Sequence, residues 1–129
     1  MAHHCIQGTA GAAFHPQLNQ QRFELVLRKG FRREIDSYSA FLENDRATRT
    51  GLAGYLQERG IRRVVLAGLA LDYCVRFSAE DARRIGFETV VVHDACRPIG
   101  DMGAVNNALE AMRRAGVELV RLNEIQGAV

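Results

Sequence analysis

Cys74 is the residue in this chain best placed to act as a nucleophile. It follows the apolar run Val64-Val65-Leu66-Ala67-Gly68-Leu69 and stands in the first turn of the helix that the pattern predicts next. Unpaired backbone N–H groups and the helix dipole stabilise an anion there, a setting that favours thiolate over thiol. Gly68-Leu69-Ala70-Leu71-Asp72-Tyr73-Cys74 thus has the form of a strand-to-helix nucleophile turn whose backbone donors can hold an oxyanion. The competing reading is a packed thiol, since free cysteine is among the most buried residue types. Asp72 reads as the N-cap of that helix rather than as a catalytic group. Lys29 closes an earlier β-prone run and can reach the same sheet edge to polarise a thiolate or a developing oxyanion. Equally, it reads as a solvated lysine beside Arg28, Arg32 and Arg33.

Other chemistry-bearing residues give weaker signals. His3, His4 and His15 flank a Gly-rich loop, and imidazole suits Zn, Fe or Mn, but no carboxylate stands near them at recognisable spacing. His93 and Cys96 end a strand and read as structural. Cys5, Cys74 and Cys96 are an odd number without zinc-ribbon spacing, so a disulfide framework is not expected and the count is compatible with a single reactive thiol. Seventeen Lys+Arg against 15 Asp+Glu leave a net charge of +2, too small a field to single out nucleic acid or anionic lipid. Only Phe31 interleaves the cluster at 28–33 as a base-stacking candidate. The N-terminus lacks a signal-peptide pattern and no apolar run approaches a membrane span, so the chain reads as cytoplasmic.

The elements that must position these residues follow from periodicity. Residues 1–20 read as loop, and Phe23 to Arg28 alternates as a short strand ending at Lys29-Gly30. A long structured loop runs from Phe31 to Arg49, with Tyr38 and Phe41 in it. Thr50 caps a helix carrying Leu52, Ala53 and Leu56, stopped at Gly60. The strand Arg63–Leu69 is apolar enough to be covered on both faces. A helix from about Tyr73 to Ile85 follows, then the strand Thr89–His93. Asp101 caps a helix with Val105, Ala108, Leu109 and Met112 on one face, and Val117–Leu122 is the last strand. With 129 residues and 47% apolar content, the chain is one domain of the α/β class, with a parallel sheet and helices on both faces. Ligands in such sheets sit at the carboxyl ends of strands, where Lys29, Cys74 and Asp94–Arg97 fall.

Four segments in order also resemble a known family. His4-Cys5-Ile6-Gln7-Gly8-Thr9 with Phe14-His15-Pro16, then Lys29-Gly30 with Asp36-Ser37-Tyr38-Ser39-Ala40-Phe41, are similar to segments of nicotinamidases (pyrazinamidases) in the isochorismatase-like cysteine hydrolase family. Gly68 to Val75 and Asp94-Ala95-Cys96-Arg97 continue the match. The resemblance implies a three-layer αβα fold and hydrolysis of nicotinamide to nicotinate and ammonia, in NAD salvage, through a thioester on Cys74. It implies Lys29 as a member of the catalytic triad, backbone N–H groups of Ala70 and Cys74 as the oxyanion hole, and a cis Leu69–Ala70 peptide. Tyr73 would line the substrate pocket, and His4 would ligate a divalent Zn, Fe or Mn ion.

The departures carry expectations of their own. The family's D-x-Q-x-D-F segment with the catalytic aspartate, its D-x-H metal segment, and the tryptophan before the His-Cys motif have no counterpart here. The chain therefore reads as the C-terminal portion of such a domain, without the first two strands, with a poorly held metal and weak or no activity alone. The two missing strands would lie between Phe23–Arg28 and Arg63–Leu69, leaving open edges there. Competing readings are another hydrolase of the superfamily and a non-catalytic remnant that serves as an oligomer-forming or regulatory module. Nicotinamide and pyrazinamide are the expected small-molecule partners, with no nucleic acid or membrane, and a homo-oligomer is compatible with the sequence.

Overall fold

Val64 and Leu66 turn to one side of their strand and Val65, Ala67 and Leu69 to the other, and this alternation organises the sheet. The computed structural model describes residues 4–30 and 32–125. Expectations placed on Met1-Ala2-His3 and on Phe31 lie outside the described residues. The strands β1 (Arg63–Leu69), β2 (Glu88–Arg97) and β3 (Glu118–Val120) form a parallel sheet in the order β1-β2-β3. The helices are α1 (Leu52–Glu58), α2 (Arg76–Ile85) and α3 (Met102–Arg114). Parallel neighbours need crossovers, and α2 and α3 supply them.

One face of the sheet packs Leu66, Val91 and Leu119 against Leu71, Val75 and Ala79 before and within α2, and against Met112 of α3. Phe41, Phe87 and Ala82 form a second cluster into which α1 inserts Leu52 and Leu56. Val90, Val92 and Val120 point to the opposite face, where Ile125 packs on them. β2 is therefore buried on both sides. β1 is not: Val65 is 40% and Leu69 74% exposed. The expectation that β1 is covered on both faces is corrected by its place at the sheet edge, where among the described residues it pairs with β2 alone.

The boundaries follow local rules. Gly86 takes a left-handed φ of 116° and ends α2, as a residue without Cβ can. Asp101 caps α3 as expected, its Oδ1 accepting from the Ala104 N–H at 3.0 Å. At α1 the cap moves by one residue: Gly51 occupies the position with φ 94°, while Thr50 Oγ1 still accepts from the Leu52 N–H at 3.3 Å. β2 runs longer than Thr89–His93, reaching Arg97 through a register shift opposite Leu66–Gly68, and β3 is shorter than Val117–Leu122. The helix expected from Tyr73 begins instead as a single π-type turn, Leu71–Val75, that passes into α2.

Phe23–Arg28 is the main correction. It is extended but joins no ladder, and Phe23, Leu25 and Val26 remain 39–47% exposed. Alternation makes a backbone extended; a strand also needs a neighbour to take its N–H and C=O groups, and none stands beside this segment among the described residues. Its position comes from side chains, with Arg28 Nη1 donating to the Ala12 carbonyl at 3.3 Å and its guanidinium over the Phe14 ring.

Candidate active site

β1 delivers the chain to a tight corner at its carboxyl end. The Leu69–Ala70 peptide is cis, and the buried Ala70 carbonyl accepts from the N–H groups of Tyr73 and Val75 at 3.2 and 3.0 Å. These bonds wind residues 71–75 into the π-type turn and leave Cys74 half-buried at the entrance to α2. Asp72 braces the turn from beneath. Its Oδ1 accepts from the Ile99 N–H at 2.9 Å and its Oδ2 from the Gly100 N–H at 2.8 Å. Burial pushes the Asp72 carboxyl up, but these two backbone donors together with its own N–H outweigh it and hold the group below its ordinary value. The N-cap expectation for Asp72 is thus corrected: it serves the connection between β2 and α3 rather than the helix it precedes.

Lys29 arrives from the opposite side. Its Nζ lies 3.5 Å from Cys74 Sγ and donates to the Ser37 carbonyl at 2.9 Å. The two residues that sequence reasoning left with alternative readings therefore meet, although 45 positions separate them. They face a cleft of about 450 Å³ whose walls include Phe41, Leu56, Leu66 and Leu69. Tyr73 is 42% exposed, outside that lining, with its ring 5.6 Å from the ring of Tyr38. Tyr38 in turn stacks on Phe77 at 5.8 Å. On the far side of Lys29 a second cavity of about 750 Å³ runs under Cys5, Gln7 and Thr9.

Cys96 has the packing role expected of it: it is buried, donates to the Val92 carbonyl at 3.3 Å, and burial pushes its thiol up. Cys5 is exposed. Among the described residues no carboxylate hydrogen-bonds to Cys74 or Lys29, and no three His, Cys, Asp or Glu side chains stand close enough to hold a metal ion. His4 is exposed, and His15 uses Nδ1 to accept from the Gln17 N–H at 3.2 Å. One imidazole cannot supply the three or four ligands that a zinc-type ion needs, so the residues present do not fit a metal centre.

Sequence reasoning missed three groups at this site. The Ser37 carbonyl that holds Lys29 is main chain and leaves no mark in side-chain pattern. Ser78 and Asp81, which tie the Ser37 loop to α2, sit among helix polar residues that resemble a solvated face; their spacing of four and seven from Cys74 was the available signal.

An Isochorismatase domain model matches residues 1–124. The chain belongs to the isochorismatase family. Within it, the nicotinamidase of Acinetobacter baylyi is 48% identical over 122 residues, covering 95% of this chain and 57% of the relative. The structure of an Acinetobacter baumanii nicotinamidase/pyrazinamidase superposes with a TM-score of 0.92 at 48% identity, over 95% of this chain and 59% of that one. A pyrazinamidase of Pyrococcus horikoshii in complex with zinc superposes with a TM-score of 0.80 at 32% identity, over 93% and 62%. The isochorismatase-like fold is thereby shown, and the chain spans about three-fifths of the length of these relatives. Among the described residues no helix is long and apolar enough to cross a membrane.

Proposed function

We propose that this isochorismatase-family chain carries the acyl-transfer half of a nicotinamidase site, which turns nicotinamide into nicotinate and ammonia. The observation that carries the reading is the 3.5 Å contact between Lys29 Nζ and Cys74 Sγ at the mouth of an apolar cleft. Sulfur of Cys74 attacks the carboxamide carbon, and the carbonyl oxygen takes up the negative charge. Backbone N–H groups of Ala70 and Cys74 serve as its donors, and Lys29 adds positive charge beside the sulfur. As the C–N bond breaks, the proton lost from the thiol ends on the departing nitrogen, giving ammonia and a thioester. Water then adds to the thioester carbon, the C–S bond breaks, and nicotinate and the thiol are released. Tyr73 with Tyr38 forms an aromatic wall for the pyridine ring beside the cleft.

No carboxylate among the described residues takes the thiol proton, so that step proceeds without general-base help worth roughly 10²–10⁴-fold. Activity of the 129-residue chain alone is accordingly weak. With His4 the single candidate ligand, Zn, Fe or Mn binds poorly, and no step is assigned to the metal. Nucleophilic use of Cys74 needs a reduced thiol, which suits the cytoplasm.

Two measurements test the reading. Pyridine-3-carbaldehyde labelled with carbon-13 at the carbonyl should form a reversible hemithioacetal on Cys74, visible as a new tetrahedral-carbon resonance by NMR without any reducing agent, and absent in Cys74→Ala. Ammonia release from nicotinamide should be slow and should vanish in the same variant. Absence of the adduct, or ammonia release that survives Cys74→Ala, overturns the proposal.

A further inference from the structure

Lys29 stands on a stretch without a sheet partner among the described residues, so its placement depends on contacts made elsewhere. Its Nζ is fixed by the Ser37 carbonyl at 2.9 Å. Ser37 belongs to the 36–50 loop, whose ladder pairing is the isolated bridge Leu42–Arg49. The loop is tied down on α2. The Ala40 N–H donates to Ser78 Oγ at 2.8 Å. Arg46 grips Asp81 with both terminal nitrogens, Nη1 to Oδ2 at 3.1 Å and Nη2 to Oδ1 at 2.6 Å.

Three features make this a built device rather than a surface ion pair. Asp81 is 1% exposed, and Arg84 also donates to its Oδ1 at 2.7 Å, so a buried carboxylate is satisfied by two guanidinium groups in a geometry few other arrangements would reproduce. Arg46 sits at φ 61°, a left-handed conformation uncommon outside glycine that persists when surroundings hold it. Finally, Ser39 Oγ accepts from the N–H groups of Phe41 and Leu42 at 3.0 and 3.4 Å, and Ser37 Oγ donates to the Ser39 carbonyl at 3.3 Å. The turn from Ser37 to Leu42 therefore moves as a unit. Cys74, Ser78 and Asp81 are spaced by four and then three residues, so one stripe of the π-type turn and α2 carries the nucleophile and both anchors.

We propose that Asp81 and Ser78 are positioning residues for the Lys29–Cys74 pair: by docking the 36–50 loop on the helix that begins at Cys74, they place the Ser37 carbonyl that holds Lys29 at the sulfur. The inference rests on the reading of Cys74 as nucleophile and extends it to the second layer of the site. Lys29 is the charged side chain hydrogen-bonded to the sulfur; Arg76, two residues on, is held by Glu80 at 2.8 Å.

The test is the pH profile of Cys74 alkylation by iodoacetamide in the full chain, resolved from Cys5 and Cys96 by peptide mass spectrometry. Removal of the cation in Lys29→Met should slow alkylation at pH 7 by about tenfold. Asp81→Asn and Ser78→Ala should each reproduce about threefold to tenfold of that slowing, Asp81→Glu should restore part of it, and neither should slow Lys29→Met further. Arg46→Gln, on the half-exposed side of the clamp, replaces Asp81→Asn if the latter does not fold. The proposal is overturned if the clamp variants lower Tm but keep the wild-type profile, or if they slow alkylation equally with and without Lys29. It is also overturned if Lys29→Met leaves the profile unchanged. The aldehyde adduct on Cys74 is scored separately, so loss of this inference and loss of the nicotinamidase reading give different results.

Discussion

Asp72 concentrates more of the site's architecture in one carboxylate than any other residue of the Cys74 turn. It is 6% exposed and accepts the backbone N–H groups of Ile99 and Gly100. Hydrogen bonds to a charged acceptor contribute about 1.5–3 kcal/mol each, and a buried donor left without a partner costs on the order of 1–3 kcal/mol. Asp72→Ala removes both bonds, and because Ile99 and Gly100 lie on an exposed connection where water can reach the freed donors, it should cost about 2–3 kcal/mol. Asp72→Asn keeps one acceptor but turns an NH₂ group toward the second donor, so it should cost about 1–2 kcal/mol. The sign with pH follows from the lowered carboxyl. Its folded value lies below the ordinary 3.8, so the stabilisation is complete at higher pH and is lost as pH falls through the folded value. Urea unfolding of wild type and Asp72→Asn at pH 7, 5 and 3.5 should therefore show a gap that is constant from pH 7 to about pH 5 and narrows below it. A gap under about 1 kcal/mol at pH 7, or one that does not narrow in acid, would refute the assignment of Asp72 as a doubly bonded buried carboxylate.

Gly100→Ala attacks the same junction from the other side. A Cβ there would stand 2.6 Å from the Ala104 Cβ and 2.9 Å from Asp72 Oδ2, so the variant should lose about 1–3 kcal/mol in urea unfolding, and less than that when combined with Asp72→Ala. Native-state labelling with a neutral thiol reagent at pH 7 should modify exposed Cys5 well before buried Cys96, whose thiol is pushed up by burial, and unfolding in urea should erase the difference.

Much of the fold can be read from runs and stops. The β1 limits agree at both ends because the apolar run that starts beside Arg63 is preceded by the Gly60 stop and gives way, after Leu69, to the polar residues of the Asp72–Cys74 turn. Cys74 and Lys29 were both visible as candidates, yet each was ambiguous by itself: a single residue type cannot show whether its partner is near. Distance resolves that ambiguity, and distance here is set by a loop carbonyl and a buried Arg46–Asp81 clamp. Neither feature has periodicity. Asp81 lies in Glu80-Asp81-Ala82-Arg83-Arg84, a string that resembles a solvated charge cluster, and only its 1% exposure marks it as interior. Phe23–Arg28 illustrates the converse limit. Alternation there correctly signals extended backbone, but pairing is a property of two segments and cannot be read from one.

Cys74 and Lys29 lie beside the edge strand of the sheet. β1 carries the apolar content of an interior strand, but it pairs on one side, and Val65 and Leu69 face outward. The cleft beside Cys74 is lined by those same residues together with Lys29, so the wall of the site and the open edge of the sheet are one surface. An unpaired apolar edge is the part of a β protein most prone to pair with another strand. A strand added along β1 would cover the Val65 and Leu69 wall of that cleft, which couples the exposure of this edge to the accessibility of Cys74. Charged substitutions at Val65 would then act on both at once, protecting the edge and changing the polarity of the cleft, whereas the same substitution at exposed Ile99 or Met102, outside the cleft lining, would alter the surface alone.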